Sequence, residues 1–179
     1  MKDKRNSKME HLILNDMPHF WVIVLFIPLD IPRETHQNKN NKIYDNDKER
    51  TIFMDFYTAK TQFNNYLKDY DCHNDKIRLK IVHTYGVVKE SADIAARMKL
   101  SEEDTSLAKM IALLHDIGRF EQLKQFDSFL PDTMDHAAYG VKILFDNAPH
   151  QNLIRNFIPE SDFDEIIRIS IAKHSDFKL

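Results

Sequence analysis

No proline occurs between Pro32 and Pro131, and the whole chain holds only three glycines, Gly86, Gly118 and Gly140. Folds rich in β-structure need many tight turns, and tight turns draw on these two residues. So long a stretch without them favours long helices. At 179 residues the chain fits one domain with a real hydrophobic core. Hydrophobic residues make up 42% and charged residues 30%, which excludes a disordered protein and suits a soluble globular one. A net charge of -3 argues against broad nucleic-acid binding, which needs a basic face. Cys72 is the only cysteine, so an internal disulfide and a cysteine-based zinc motif are both excluded, and a reducing, cytoplasmic setting fits.

The chain divides into residues 1–50 and residues 51–179. In the first part, the apolar run Phe20–Ile27 is ended by Pro28 and Asp30 far short of a membrane span. Glu10 and Asp16 interrupt the basic lead that a signal peptide would need, and no small-residue cleavage site follows. From Arg33 to Arg50 the composition turns to Asn, Lys and Asp, so residues 1–50 are expected to form a flexible extension.

Helical periodicity is steady from Thr51 onward. Residues 51–69 carry Phe53, Phe56, Tyr57, Phe63 and Leu67 at amphipathic spacing. Asp75 opens a longer helix to about Met98, with Ile77, Ile81, Val82, Tyr85, Val88, Ala92, Ala95 and Ala96 expected on its inner face. Ser101–Asp104 forms a near capping box for the next helix, with Gly118 as its expected C-cap. A short helical turn is expected around Phe120–Leu123. Asp132 or Thr133 is expected to cap a helix that Pro149 closes, and Ser161–Asp164 to cap the last.

The chemistry gathers at the end of the third helix. His115 and Asp116 directly follow the apolar run Met110–Leu114. An imidazole and a carboxylate are costly to bury there unless something pairs with them, and a divalent metal ion does so. An Asp near the C-terminus of a helix also faces the unfavourable end of the dipole, and a residue set against local preference points to function. Among nine histidines, His83, His136 and His174 each lie in an apolar helical stretch, so the helices each bring one ligand-type residue to a bundle core. A His on an apolar face is more often a core residue bonded to a carbonyl; the dyad shifts that balance. Mixed His/Asp ligation suits Mn, Fe, Co, Ni or Zn and also admits Mg. No glycine-rich phosphate loop, serine nucleophile elbow or kinase signature is present.

The segments LKIVHTYGVVKESADIA, LAKMIALLHDIGRFEQL, DHAAYGVKILFDN and DEIIRISIAKHSDFKL, taken in order, resemble the HD-domain superfamily of metal-dependent phosphohydrolases, in particular bacterial members with an HDIGRFEQ segment. The resemblance implies an all-α, HD/phosphodiesterase-like helical bundle. It places the first metal-binding histidine on His83, the dyad on His115 and Asp116, and the second site's histidines on His136 and His174. Asp116 is then both a ligand and the catalytic carboxylate, and Arg119 meets a substrate phosphate. One or two divalent ions, and a small phosphorylated, nucleotide-like substrate, phosphomonoester or phosphodiester, are implied with them. The family also places an aspartate ligand in a helix beyond His174, and Asp176 follows His174 too closely for that role. The chain therefore reads as a member lacking its last helices, with an uncovered groove that invites self-association. A catalytically impaired metal- or nucleotide-binding regulatory domain of the same fold is the alternative.

Overall fold

The computed structural model of the protein describes residues 55–146 and 152–175, and the expectations for residues 1–54, for Pro149 and for Asp176 lie outside them. Within the described residues the regular structure is helical throughout: α1 (Phe56–Tyr66), α2 (Asp75–Met98), α3 (Glu102–Leu114), α4 (Ile117–Phe126), α5 (His136–Phe145) and α6 (Asp164–Lys173), with short 3-10 turns at Leu67–Asp69 and Leu153–Asn156.

The helices start where side chains can satisfy the open N–H groups of a first turn. Asp55 accepts from the Tyr57 amide, and Asn74 from those of Lys76 and Ile77. Ser101 caps the helix as expected, accepting from Asp104 N at 3.0 Å, while the Asp104 carboxylate takes the Ser101 hydroxyl at 2.7 Å rather than the backbone N–H that a full capping box would use. Glu102, Glu103 and Asp104 add favourable charge to that turn. The helix α5 is capped by Asp135, which takes the Ala137 and Ala138 amides, and not by Asp132 or Thr133. The reason is competition: Thr133 is already engaged with the Leu130 carbonyl and the Gln122 amide. No side chain caps α6; the Ser161 carbonyl takes the Asp164 amide instead.

At the centre lies α3, whose residues Leu107, Ala108 and Met110–Leu114 are all buried. A helix apolar all round needs cover on every side. It packs against α1, α2 and α6, while α4 packs on α2 and α5, and α5 on α6. Phe63 of α1 and Phe120 of α4 meet edge-to-face with ring centres 5.8 Å apart, and Tyr66 and Tyr70 close the same cluster. The Tyr66 hydroxyl donates to the Ile117 carbonyl at 3.2 Å, which ties α1 to the start of α4.

Several expected core positions face solvent: Tyr57, Val82 and Ala96 are exposed. On α2 the buried row is Ile77, Lys80, Thr84, Val88, Ser91 and Ala95, so hydrophobicity alone places its inner face a little off. Polar residues occupy half of that row, and Lys80 among them reaches Asp116.

Gly118 does not end α3. It lies in the first turn of α4, a ten-residue helix where only a short turn was expected. An added Cβ at Gly118 would sit 2.1 Å from the His136 carbonyl oxygen and 2.7 Å from Gly140 N. Its role is to let α4 and α5 touch, backbone to backbone.

Candidate metal centre

Four of the ligand-type residues sit at helix ends. His115 is the residue after α3, Asp116 precedes α4, His136 opens α5 and His174 follows α6. Only His83 lies mid-helix, on α2, one turn after Lys80. The placement of Asp116 corrects the dipole argument: it stands at the N-cap position of α4, where a negative charge is favoured.

The last turn of a helix leaves carbonyls without helical partners, and a histidine there can serve them. His115 Nδ1 lies 2.7 Å from the Ala112 carbonyl and His174 Nδ1 lies 2.6 Å from that of Ile171. A carbonyl only accepts, so each Nδ1 carries the proton and each Nε2 turns its lone pair to the interior. The same bond that finishes the helix thus prepares a ligand.

All four imidazoles converge on Asp116, two on each oxygen. Toward Oδ2, His83 Nε2 stands at 3.6 Å and His115 Nε2 at 3.4 Å, with the two nitrogens 3.2 Å apart. Toward Oδ1, His136 Nε2 stands at 3.4 Å and His174 Nε2 at 3.3 Å, with the two nitrogens 3.0 Å apart. Donor atoms held at about 2.1 Å from one ion, at tetrahedral or octahedral angles, are roughly 3.0–3.4 Å from each other. Two triads, His83–His115–Asp116 and Asp116–His136–His174, therefore have the spacing and the chemistry to hold a divalent metal ion, and they share one carboxylate.

The electrostatics agree with a site for cations. Burial acts most strongly on Asp116 and would raise its pKa, but the Lys80 ammonium, together with the neighbouring imidazoles of His115 and His174, holds it well below the usual carboxylate range. His136 is pushed down to about 3, first by burial and then by Arg119, against the opposing pull of Asp116. It is neutral near pH 7, with a lone pair to give.

Arg119, on the first turn of α4, places Nε 3.8 Å from Asp116 Oδ1. Its NH1 donates to Gln122 Oε1 at 2.7 Å and to the Phe129 carbonyl at 3.2 Å. Gln122 is fully buried and also donates to the Leu130 carbonyl at 2.9 Å, so it fastens the α4–α5 loop beside the site.

The structure brings together every candidate read from the sequence: His83, His115, Asp116, His136, His174 and Arg119. Two functional neighbours escaped that reading. Lys80 Nζ is 3.0 Å from Asp116 Oδ2, with both side chains buried, and Gln122 orients Arg119. For Lys80 the available signal was a lysine three residues before His83 within an otherwise apolar stretch. No described helix is long and apolar enough to cross a membrane.

A family model described as HD domain matches residues 81–179. No curated protein and no solved structure matches the chain. The match spans more than half of the sequence and begins one residue after Lys80, taking in both triads and their shared carboxylate. With the all-helical fold, it shows that the chain belongs to the HD-domain family, within the superfamily of metal-dependent phosphohydrolases.

Proposed function

We propose that this protein hydrolyses a phosphomonoester or phosphodiester of a nucleotide-like substrate, using divalent metal held by His83, His115, Asp116, His136 and His174. The observation that carries the reading is the sharing of Asp116, one oxygen toward each pair of histidines. A divalent ion in such a site lowers the pKa of bound water toward neutrality and offsets charge on phosphoryl oxygens.

The chain's own residues supply the rest. Asp116 stays ionised because Lys80 and the surrounding imidazoles outweigh its burial. His115 and His174 hold their rings in one tautomer through the backbone, so the donor set is formed before any ion arrives. Arg119 is the phosphate-binding residue: its planar fork is pinned by Gln122 and by the Phe129 carbonyl, which sets its direction at the rim of the site. The resemblance to the HD superfamily supports the nucleotide-like substrate.

The test is elemental analysis joined to hydrolysis of p-nitrophenyl phosphate, bis(p-nitrophenyl) phosphate and a nucleotide panel, before and after Mn loading. We expect stoichiometric metal and metal-dependent turnover in the wild type, loss of both in Asp116→Ala, and loss of turnover in His115→Ala, with the helical fold kept. Turnover retained in either variant would overturn the reading. Metal and nucleotide binding without turnover would instead establish the regulatory alternative.

A further inference from the structure

The Lys80 ammonium and the His83–His115 pair address the same atom. Lys80 Nζ is 3.0 Å from Asp116 Oδ2, and the two imidazole nitrogens lie 3.6 and 3.4 Å from that oxygen. An ion held by this triad would bond Oδ2 as well, so two cations would share one carboxylate oxygen in a largely buried site. On its other side the ammonium is 5.5 Å from the centre of the Phe129 ring, an apolar face that favours a cation. Oδ1 is placed differently. The nearest arginine nitrogen, Arg119 Nε, is 3.8 Å away, beyond hydrogen-bond length, and the guanidinium is tethered by Gln122 and the Phe129 carbonyl.

We propose that Lys80 is a built-in competitor for the Oδ2 side of the centre, so that the two halves load unequally. The Asp116–His136–His174 half takes its ion first and tightly. The His83–His115–Asp116 half takes its ion second and weakly, as the ammonium moves off Oδ2. The inference deepens the metal reading above and rests on it. It assigns a residue outside the matched segment the task of setting how many ions the protein holds at a given free metal concentration.

Calorimetric titration of the metal-stripped full chain with Mn(II), and with Co(II) followed by its visible absorption, tests this. The wild type should bind two ions whose affinities differ by about tenfold or more. Lys80→Met should strengthen the weaker step by about tenfold and leave the tighter step within about threefold. Lys80→Arg, which keeps the charge, should keep the inequality. Two further variants need no change at Lys80: His174→Ala should retain only the weaker wild-type step, and His83→Ala only the tighter one. Equal affinities in the wild type, or the reverse assignment of the steps in these two variants, would overturn the inference and leave the hydrolase reading standing. So would weaker binding in a folded Lys80→Met, which would make Lys80 a positioning residue for Asp116. No uptake of either ion by the wild type would overturn both.

Discussion

His136 carries the clearest consequence of burial for a single side chain. Its pKa falls from 6.5 to about 3 because an imidazolium loses its hydration in the interior, and Asp116 recovers only part of that loss. Between these two values the unfolded chain binds a proton that the folded protein refuses, so stability rises with pH there. The contribution is fully present above 6.5 and disappears as pH falls toward 3. Asp116 acts in the same direction at lower pH, since its folded pKa lies well below 3.8 and its stabilisation is lost only as pH falls through that depressed value. In metal-free protein we therefore expect the urea midpoint to drop between about pH 7 and pH 4, and His136→Asn to flatten that slope by about one proton. An unchanged slope in the variant would show that His136 is not the proton-refusing group. All the histidines invoked here were legible in the sequence, since each sits in an apolar helical stretch. Lys80 and Gln122 were not. A single polar residue on an amphipathic helix reads as a solvated one, and only the neighbour it meets reveals otherwise.

At the scale of elements the crossing of α4 and α5 matters most, because it sets His136 opposite Asp116. Gly118 makes the crossing close: a Cβ there would lie 2.1 Å from the His136 carbonyl oxygen. Gly118→Ala must push apart the first turns of both helices. Overpacking of this kind costs about 1–3 kcal/mol or more, and we expect the midpoint of chemical denaturation to fall accordingly. The displaced His136 should also weaken metal uptake by the Oδ1 half. Gly86 is the matched control on α2, since a Cβ there meets nothing within 4 Å. Gly86→Ala should stabilise the protein by about 0.5–1 kcal/mol through helix propensity. Equal responses at the two positions would refute the argument from the crossing. The sequence suggested a helix stop at Gly118, because glycine after a helical run usually serves one. A backbone-to-backbone crossing has no local signature.

For the whole molecule, the centre adds polar ties between elements that pack together mainly through apolar side chains. The chain binds Asp116 to His174 across 58 residues of sequence, and Lys80 to Asp116 across 36. A metal ion that binds only the folded arrangement stabilises it by mass action, by about 2.7 kcal/mol when its free concentration is 100 times Kd. Chelation of the loaded protein should therefore lower Tm in the wild type and leave that of Asp116→Ala, which lacks the carboxylate common to both triads, almost unmoved. A wild-type Tm indifferent to both chelator and added metal would mean that the imidazoles serve only as core residues.

The helical class, the bounds of α2, the start of α3 and the identity of the converging histidines were determined by the sequence alone. Caps, apolar periodicity and the scarcity of helix breakers act over one or two turns, so they can be read without the fold. The tertiary structure alone decided that His83 and His115 face one oxygen of Asp116 while His136 and His174 face the other, that Lys80 joins them, and that Gly118 is a contact and not a stop. These depend on which helix ends meet in space. That is settled by the packing of α3 inside its neighbours, through contacts between residues far apart in the chain.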